Sequence, residues 1–160
     1  MTAQAHKAIY QHPADVASPV IDALGRVLAD TYTLYLKTQN YHWNVTGPHF
    51  ETLHAAFERQ YGELASAVDV VAERIRSLGA PAPGSFGYFA ERSSVKEARG
   101  VPAADEMVRD LANSHQIVGT AIKAALEAGE KAEDVVTVDL MTQRLAAHEK
   151  AVWMLNSFLG

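Results

Sequence analysis

Between Pro48 and Leu78 one spacing governs the chain: Phe50, Leu53, Phe57, Tyr61, Leu64, Val68, Val71, Ile75 and Leu78 recur in steps of three and four. That period marks one face of a long helix and leaves no room for a strand. Gly47-Pro48 starts the segment, and Gly79, with Pro81 beyond it, ends it. A helix of this length must bury its apolar stripe against other helices, so the rest of the chain is read for partners.

Three further helices are expected. Ser18-Pro19 offers an N-cap followed by proline in the first turn, and Ile21, Leu24, Leu28, Tyr35 and His42 then keep helical spacing, so a first helix runs from about Pro19 to Val45. The stretch Ala80–Val101 holds Pro81, Pro83, Gly84, Gly87 and Gly100 and reads as a long crossover, with a short helix in FGYFAERS. A third helix follows Pro102 and ends at Gly129, and a fourth runs from about Glu133 to Phe158. Two helices, a long crossover and two more helices predict an all-α, ferritin-like four-helix bundle over residues 19–160, behind a polar tail at 1–18. An up-down bundle with short loops is the alternative.

The chain of 160 residues has one-domain length. It has no cysteine, which excludes disulfides, thiol nucleophiles and thiolate metal sites. No apolar run approaches the roughly 18–20 residues of a membrane helix. The N-terminus lacks an apolar leader core, so a cytoplasmic location is expected. The formal net charge is −5, a poor match for nucleic acid.

The second helix carries the chemistry. His54 and Glu58 stand four residues apart, as do Asp69 and Glu73, and such pairs sit one above the other on a helix face. Imidazole with carboxylate suits iron, manganese, cobalt or zinc. With Phe50 as zero, these four fall at roughly 40°, 80°, 100° and 140°, while the core stripe lies between roughly 280° and 20°. The polar stripe therefore does not face its own bundle. From His54 to Asp69 the helix rises about 22 Å, so no single ion can join the two pairs of one chain.

Either the pairs serve different sites or a second chain joins them. Packing the helix antiparallel on a copy of itself, centred between Glu63 and Leu64, sets His54 against the partner's Glu73 and Glu58 against the partner's Asp69. The same register opposes Gly62 with Ala65, Ala55 with Ala72, and Glu51 with Arg76. An isologous dimer has this self-complementarity, and it predicts two equivalent sites per dimer. His42, just before the Gly47-Pro48 break, can be folded back toward His54. A carboxylate pair on a long helix is most often plain solvated surface; the shared stripe and the small residues within it argue for more. An intrachain di-iron centre needs two Glu-x-x-His motifs, and only Glu51–His54 has that form.

Residues 40–79 (NYHWNVTGPHFETLHAAFERQYGELASAVDVVAERIRSLG) and 133–159 (EDVVTVDLMTQRLAAHEKAVWMLNSFL) closely resemble the Dps miniferritins, the "DNA-binding proteins from starved cells". The shared signature is His-Trp-Asn, Gly, Phe, Leu-His, then Asp-x-x-x-Glu. The resemblance implies a hollow dodecamer, built from two-fold dimers, that oxidises ferrous iron, with hydrogen peroxide preferred, and stores the ferric mineral. It implies a ferroxidase centre of His42, His54 and Glu58 from one chain with Asp69 and Glu73 from the partner. Glu58 stands where the family often has Asp. Trp43 matches a tryptophan proposed to quench radicals, and Asp134 and Asp139 match acids lining an iron-entry pore; capping of the last helix is the structural role open to Asp134. Zinc or cobalt suits the same donors. Relatives that bind DNA often use basic tails. Residues 1–18 here hold Lys7 as their only full positive charge, against Asp15, so weak or absent DNA binding is expected. A nucleoid-compacting structural protein is the alternative function.

Overall fold

The computed structural model describes residues 14–160. Five helices follow one another: α1 Ala14–Asn44, α2 Phe50–Ser77, α3 Phe86–Arg92, α4 Ala104–Lys131 and α5 Val135–Leu159. There is no strand among the described residues. α1 and α2 form one helical hairpin and α4 and α5 another. α1 packs on α4 to join the hairpins, while α2 touches α5. The crossover from α2 to α4 carries α3 back over α1. The architecture is thus the expected all-α bundle with a short helix in its long connection.

The first boundary differs from expectation. α1 begins at Ala14, so Pro19 lies inside it and Ser18 is not its cap. Only about one turn precedes Pro19, so its missing N–H forfeits a single bond, to the carbonyl of residue 15. The part of the expected tail at residues 1–13 lies outside the described residues, with Lys7, His6 and His12. At the other end of the first hairpin the stop signals behave as read. Gly79 adopts φ +94°; its N–H bonds the Arg76 carbonyl, and Ala80 N–H bonds the Ile75 carbonyl. This Schellman pair needs a left-handed residue, which glycine accepts without strain.

Leu24, Leu28, Leu34, Phe57, Leu64, Ile75, Met107, Leu111, Ile122 and Met141 are wholly buried. Phe50, expected in this core, is 46% exposed, because it opens α2 where α1 has already ended. Buried polar groups tie the elements together. The Asp30 carboxylate on α1 accepts from Ser94 N–H at 2.6 Å, Val95 N–H at 3.2 Å and the Ser93 hydroxyl at 2.9 Å, and so pins the crossover. Lys37 donates to Asp110 and to Ser114, each at 3.0 Å, and Tyr41 donates to Asp110 at 2.6 Å, which fixes α1 on α4. No helix among the described residues is long and apolar enough to cross a membrane.

α4 and α5 share a histidine pair. His115 and His148 are buried, with their Nδ1 atoms 2.9 Å apart. Arg144 can only donate, so His148 Nε2, at 3.4 Å from it, accepts. His148 therefore donates from Nδ1 to His115, and the His115 proton sits on Nε2, buried without a partner. Burial, together with the Arg144 charge, pushes His115 down to about 4. Burial, His115 and Arg144 push His148 down to about 2. Glu63, from α2, offsets the Arg144 guanidinium by a salt bridge.

Both folded values lie below the unfolded value of about 6.5, so the unfolded chain takes up protons first as pH falls. The pair's stabilisation is complete above pH ~6.5 and declines below it, by at most about 1.4 kcal/mol per pH unit for each histidine. Thermal melting between pH 7 and about pH 4.5 is expected to show this loss. The double substitution His115→Leu with His148→Leu is expected to flatten the acid limb.

Candidate metal centre

The turn at residues 45–49 decides what α1 and α2 bring together. Gly47 takes φ +108° and accepts from Phe50 N–H at 3.1 Å, turning the chain through a left-handed position that a side chain would strain. α2 then runs back along α1. His42, in the last turn of α1, meets His54, in the second turn of α2. Their rings stack with centroids 3.8 Å apart at 21°.

The hydrogen bonds of this pair are reciprocal. His42 Nδ1 donates to the His54 carbonyl at 2.8 Å, and His54 Nδ1 donates to the His42 carbonyl at 2.8 Å. A carbonyl can only accept, so each Nδ1 carries the proton and each neutral ring keeps its lone pair on Nε2. A backbone bond that fixes one nitrogen and leaves the other as donor is the usual support of a metal-ligating histidine. Phe50 leans on His54 at 5.1 Å, and Tyr61 meets His42 edge-on at 5.1 Å. His42 is buried and His54 half-buried.

Glu58 stands one turn beyond His54 and is exposed, as are Asp69 and Glu73 further along α2. The polar stripe thus looks away from the core, as its position on the helix wheel requires. The structure brings His42 to His54. It leaves Asp69 about 22 Å of helix rise away. Among the described residues no cluster of three or more His, Asp or Glu within one chain could hold a metal. Among the described residues the bundle interior holds no alternative donor set: Lys37 occupies it with Asp110 and Ser114, and His115 and His148 bond each other.

The remaining residues fall as follows. Trp43 is 60% exposed and lines the groove between α1 and α3 with Tyr32, Leu36, Phe86 and Phe89. Tyr61, which sequence reasoning assigned to the core alone, also touches the histidine pair. Its position seven residues beyond His54, on the same helix face, was the available signal. Asp134 is buried rather than lining an open surface. It caps α5, accepting from Thr137 N–H at 3.0 Å and its hydroxyl at 2.6 Å, and pairs with Arg74 at 2.7 Å. Burial acts to raise its pKa, but the bonds from Arg74 and Thr137 outweigh this and hold it below the ordinary value. Both oxygens are committed, so the capping role is the one the structure supports. Asp139 is exposed and accepts from Gln143 at 2.7 Å.

Comparison with known proteins gives the family. The ferritin-like domain model matches residues 21–160. A DNA protection during starvation protein of Brevibacillus brevis is 39% identical over 136 residues, covering 85% of this chain and 91% of its own. The crystal structure of a Dps protein from Bacillus brevis superposes with a TM-score of 0.89 at 36% identity, over 92% of this chain and 99% of that one. The Dps protein of Vibrio cholerae O1, described as a member of a broad superfamily of ferritin-like diiron-carboxylate proteins, gives a TM-score of 0.91 at 31% identity over the whole of both chains. With its bundle, its crossover helix and its outward-facing carboxylates, the chain belongs to the Dps family of ferritin-like miniferritins.

Proposed function

We propose that the chain is a ferroxidase of the miniferritin kind, oxidising ferrous iron at centres shared between two copies of itself and storing the ferric product in a hollow dodecamer. The observation that carries this is the reciprocal His42–His54 lock, which leaves two Nε2 lone pairs free, with Glu58 one helical turn beyond His54 on α2. The missing donors come from a partner. In the antiparallel register centred between Glu63 and Leu64, Asp69 and Glu73 of one α2 reach His54 and Glu58 of the other. Gly62 supports this approach: a Cβ there would meet nothing within 4 Å in its own chain, so packing within the chain does not require glycine. The exposed Ala65 and the half-buried Ala55 and Ala72 keep the same face shallow.

The donor set suits a substrate that must change charge and leave. Carboxylates favour the ferric product, and neutral imidazoles accept the ferrous ion. Two ferrous ions give hydrogen peroxide its two electrons at once: 2 Fe²⁺ + H₂O₂ + 2 H⁺ yields 2 Fe³⁺ + 2 H₂O, with no hydroxyl radical released. Zinc or cobalt fits the same donors and would compete. On the outside of each subunit Trp153, Met154, Val135 and Val136 expose apolar surface on α5, which supports further contacts in a shell. Asp139 is the exposed acid left for an iron-entry pore. A cytoplasmic location and a protective role against iron and peroxide follow from the same reading.

The double substitution His54→Ala with Asp69→Ala is expected to abolish rapid ferrous oxidation, followed by ferric absorbance, while light scattering still finds a particle of about twelve subunits. Unchanged oxidation would overturn the assignment. At −5 per chain, the assembled protein is expected to show weak or no DNA retention in a gel shift at low salt. Tight, saturable binding there would favour the nucleoid-compacting alternative.

A further inference from the structure

Two charges on the outer stripe of α2 have no use in the proposed iron centre. With Phe50 as zero on the helix wheel, Glu51 falls at roughly 100° and Arg76 at roughly 80°, in line with His54, Glu58, Asp69 and Glu73. Both are exposed. Among the described residues neither joins an ion pair of its own chain, whereas Arg26, Lys37, Arg74, Arg92, Lys131 and Arg144 all do. Arg76 Nη1 donates to the Ala80 carbonyl at 3.0 Å, which steadies the side chain at the finish of α2. The guanidinium has further N–H donors for a carboxylate.

Charge decides how this stripe can face a copy of itself. Each copy brings the acids Glu51, Glu58, Asp69 and Glu73, and Arg76 as the base among them. Iron would answer the last three acids and leave Glu51, one turn before His54, to find another counter-charge. In the antiparallel register that joins the iron ligands, Glu51 of one copy faces Arg76 of the other. The acid that iron does not use thus meets the base of the stripe. Slips of about one turn do the reverse. Moving one helix by three residues sets Glu51 against the partner's Glu73, and moving it by four the other way sets Glu58 against the partner's Glu73. Like charges opposed across a contact repel and exclude such arrangements.

We propose that Glu51 and Arg76 of facing copies form an ion pair at the outer end of each centre, two pairs in a dimer, and that these pairs select the register in which the iron ligands meet. This rests on the shared-centre reading above. Both are positioning residues and neither ligates iron. Glu51 stands three residues before His54, and Arg76 three residues after Glu73, so the pair holds the turn that carries one ligand against the turn that carries the other. Its attraction does not depend on metal, so it acts while the remaining carboxylates still repel. One patch supplies the acid at one end and the base at the other, so the partner it fits is a second copy of this chain.

The experiment reads the register without iron. The chain has no cysteine, so Ala55→Cys with Ala72→Cys introduces two reporters that face each other across copies in this register. Within one chain about 25 Å of helix separates them. A short bismaleimide is expected to join these chains into covalent dimers. Adding Arg76→Glu, or Glu51→Arg, opposes like charges and is expected to suppress the cross-link. Without the reporters, either reversal is expected to slow ferrous oxidation about tenfold or more. Both reversals together exchange the charges and are expected to restore cross-link and rate. Arg76→Gln, which only removes the charge, serves where circular dichroism shows that a reversal unfolds the chain, and it is expected to lower the cross-linking yield. Full cross-linking in the reversed or Arg76→Gln proteins, or a folded charge exchange as impaired as its parents, would overturn the pair. No cross-link in the otherwise wild-type chain would overturn the register and the pair with it. A protein that cross-links in register but does not oxidise iron overturns the ferroxidase reading and leaves the pair standing.

Discussion

The exchange of two hydrogen bonds between His42 and His54 organises this molecule's chemistry. Each ring gives its Nδ1 proton to the other residue's carbonyl, so neither imidazole can turn without breaking its own bond. The same two bonds hold the end of α1 to the start of α2, and they exist only because Gly47 turns the chain within a few residues. Rigidity, tautomer and register thus come from one feature. A ligand held in this way binds its ion without first having to be ordered, which is where much of the cost of a flexible site lies.

Among the described residues, the polar groups of the bundle interior are bound to one another. Where a bundle with an internal centre would place facing carboxylates, α1 and α4 share Lys37, Asp110, Tyr41 and Ser114, and α4 and α5 share His115 and His148. Each charge is answered by a neighbour: Lys37 by Asp110, Arg74 by Asp134, Arg144 by Glu63. Buried charges of this kind carry a desolvation cost that only good geometry offsets, so they specify how the helices pair more than they stabilise them. Glu58, Asp69 and Glu73, exposed on the outer face of α2, take part in none of these pairs.

Much of this was readable from residue order. The spacing from Phe50 to Leu78 located α2, and the proline and glycine cluster after Gly79 located the crossover and α3. The wheel position of His54, Glu58, Asp69 and Glu73 showed that they face away from the core. Three points were not readable, for separate reasons. Pro19 looked like a helix start because a proline is cheapest in the first turn, yet one turn forms ahead of it. Phe50 kept the core period but lies past the end of its packing partner, which a helix wheel cannot show. Asp134 carried a capping signal and a resemblance to a pore acid, and its bond with Arg74, sixty residues away in sequence, shows only in the structure. Contacts set by tertiary distance leave no local trace.

The placement of the donors has a consequence for how such a protein is controlled. On the shared-centre reading each α2 carries part of a centre at either end, His54 near its start, beside His42 of α1, and carboxylates near its finish, separated by about 22 Å of helix. A lone chain then cannot hold iron well enough to oxidise it, and a dimer gains two centres at once. On that reading oxidation of iron is confined to the proposed assembly, where the product would have a cavity to enter. A free subunit, which could only generate ferric iron in open solution, remains inactive without any separate inhibitor. Coupling of this kind needs no moving part; it follows from a straight helix too long for its two ends to meet.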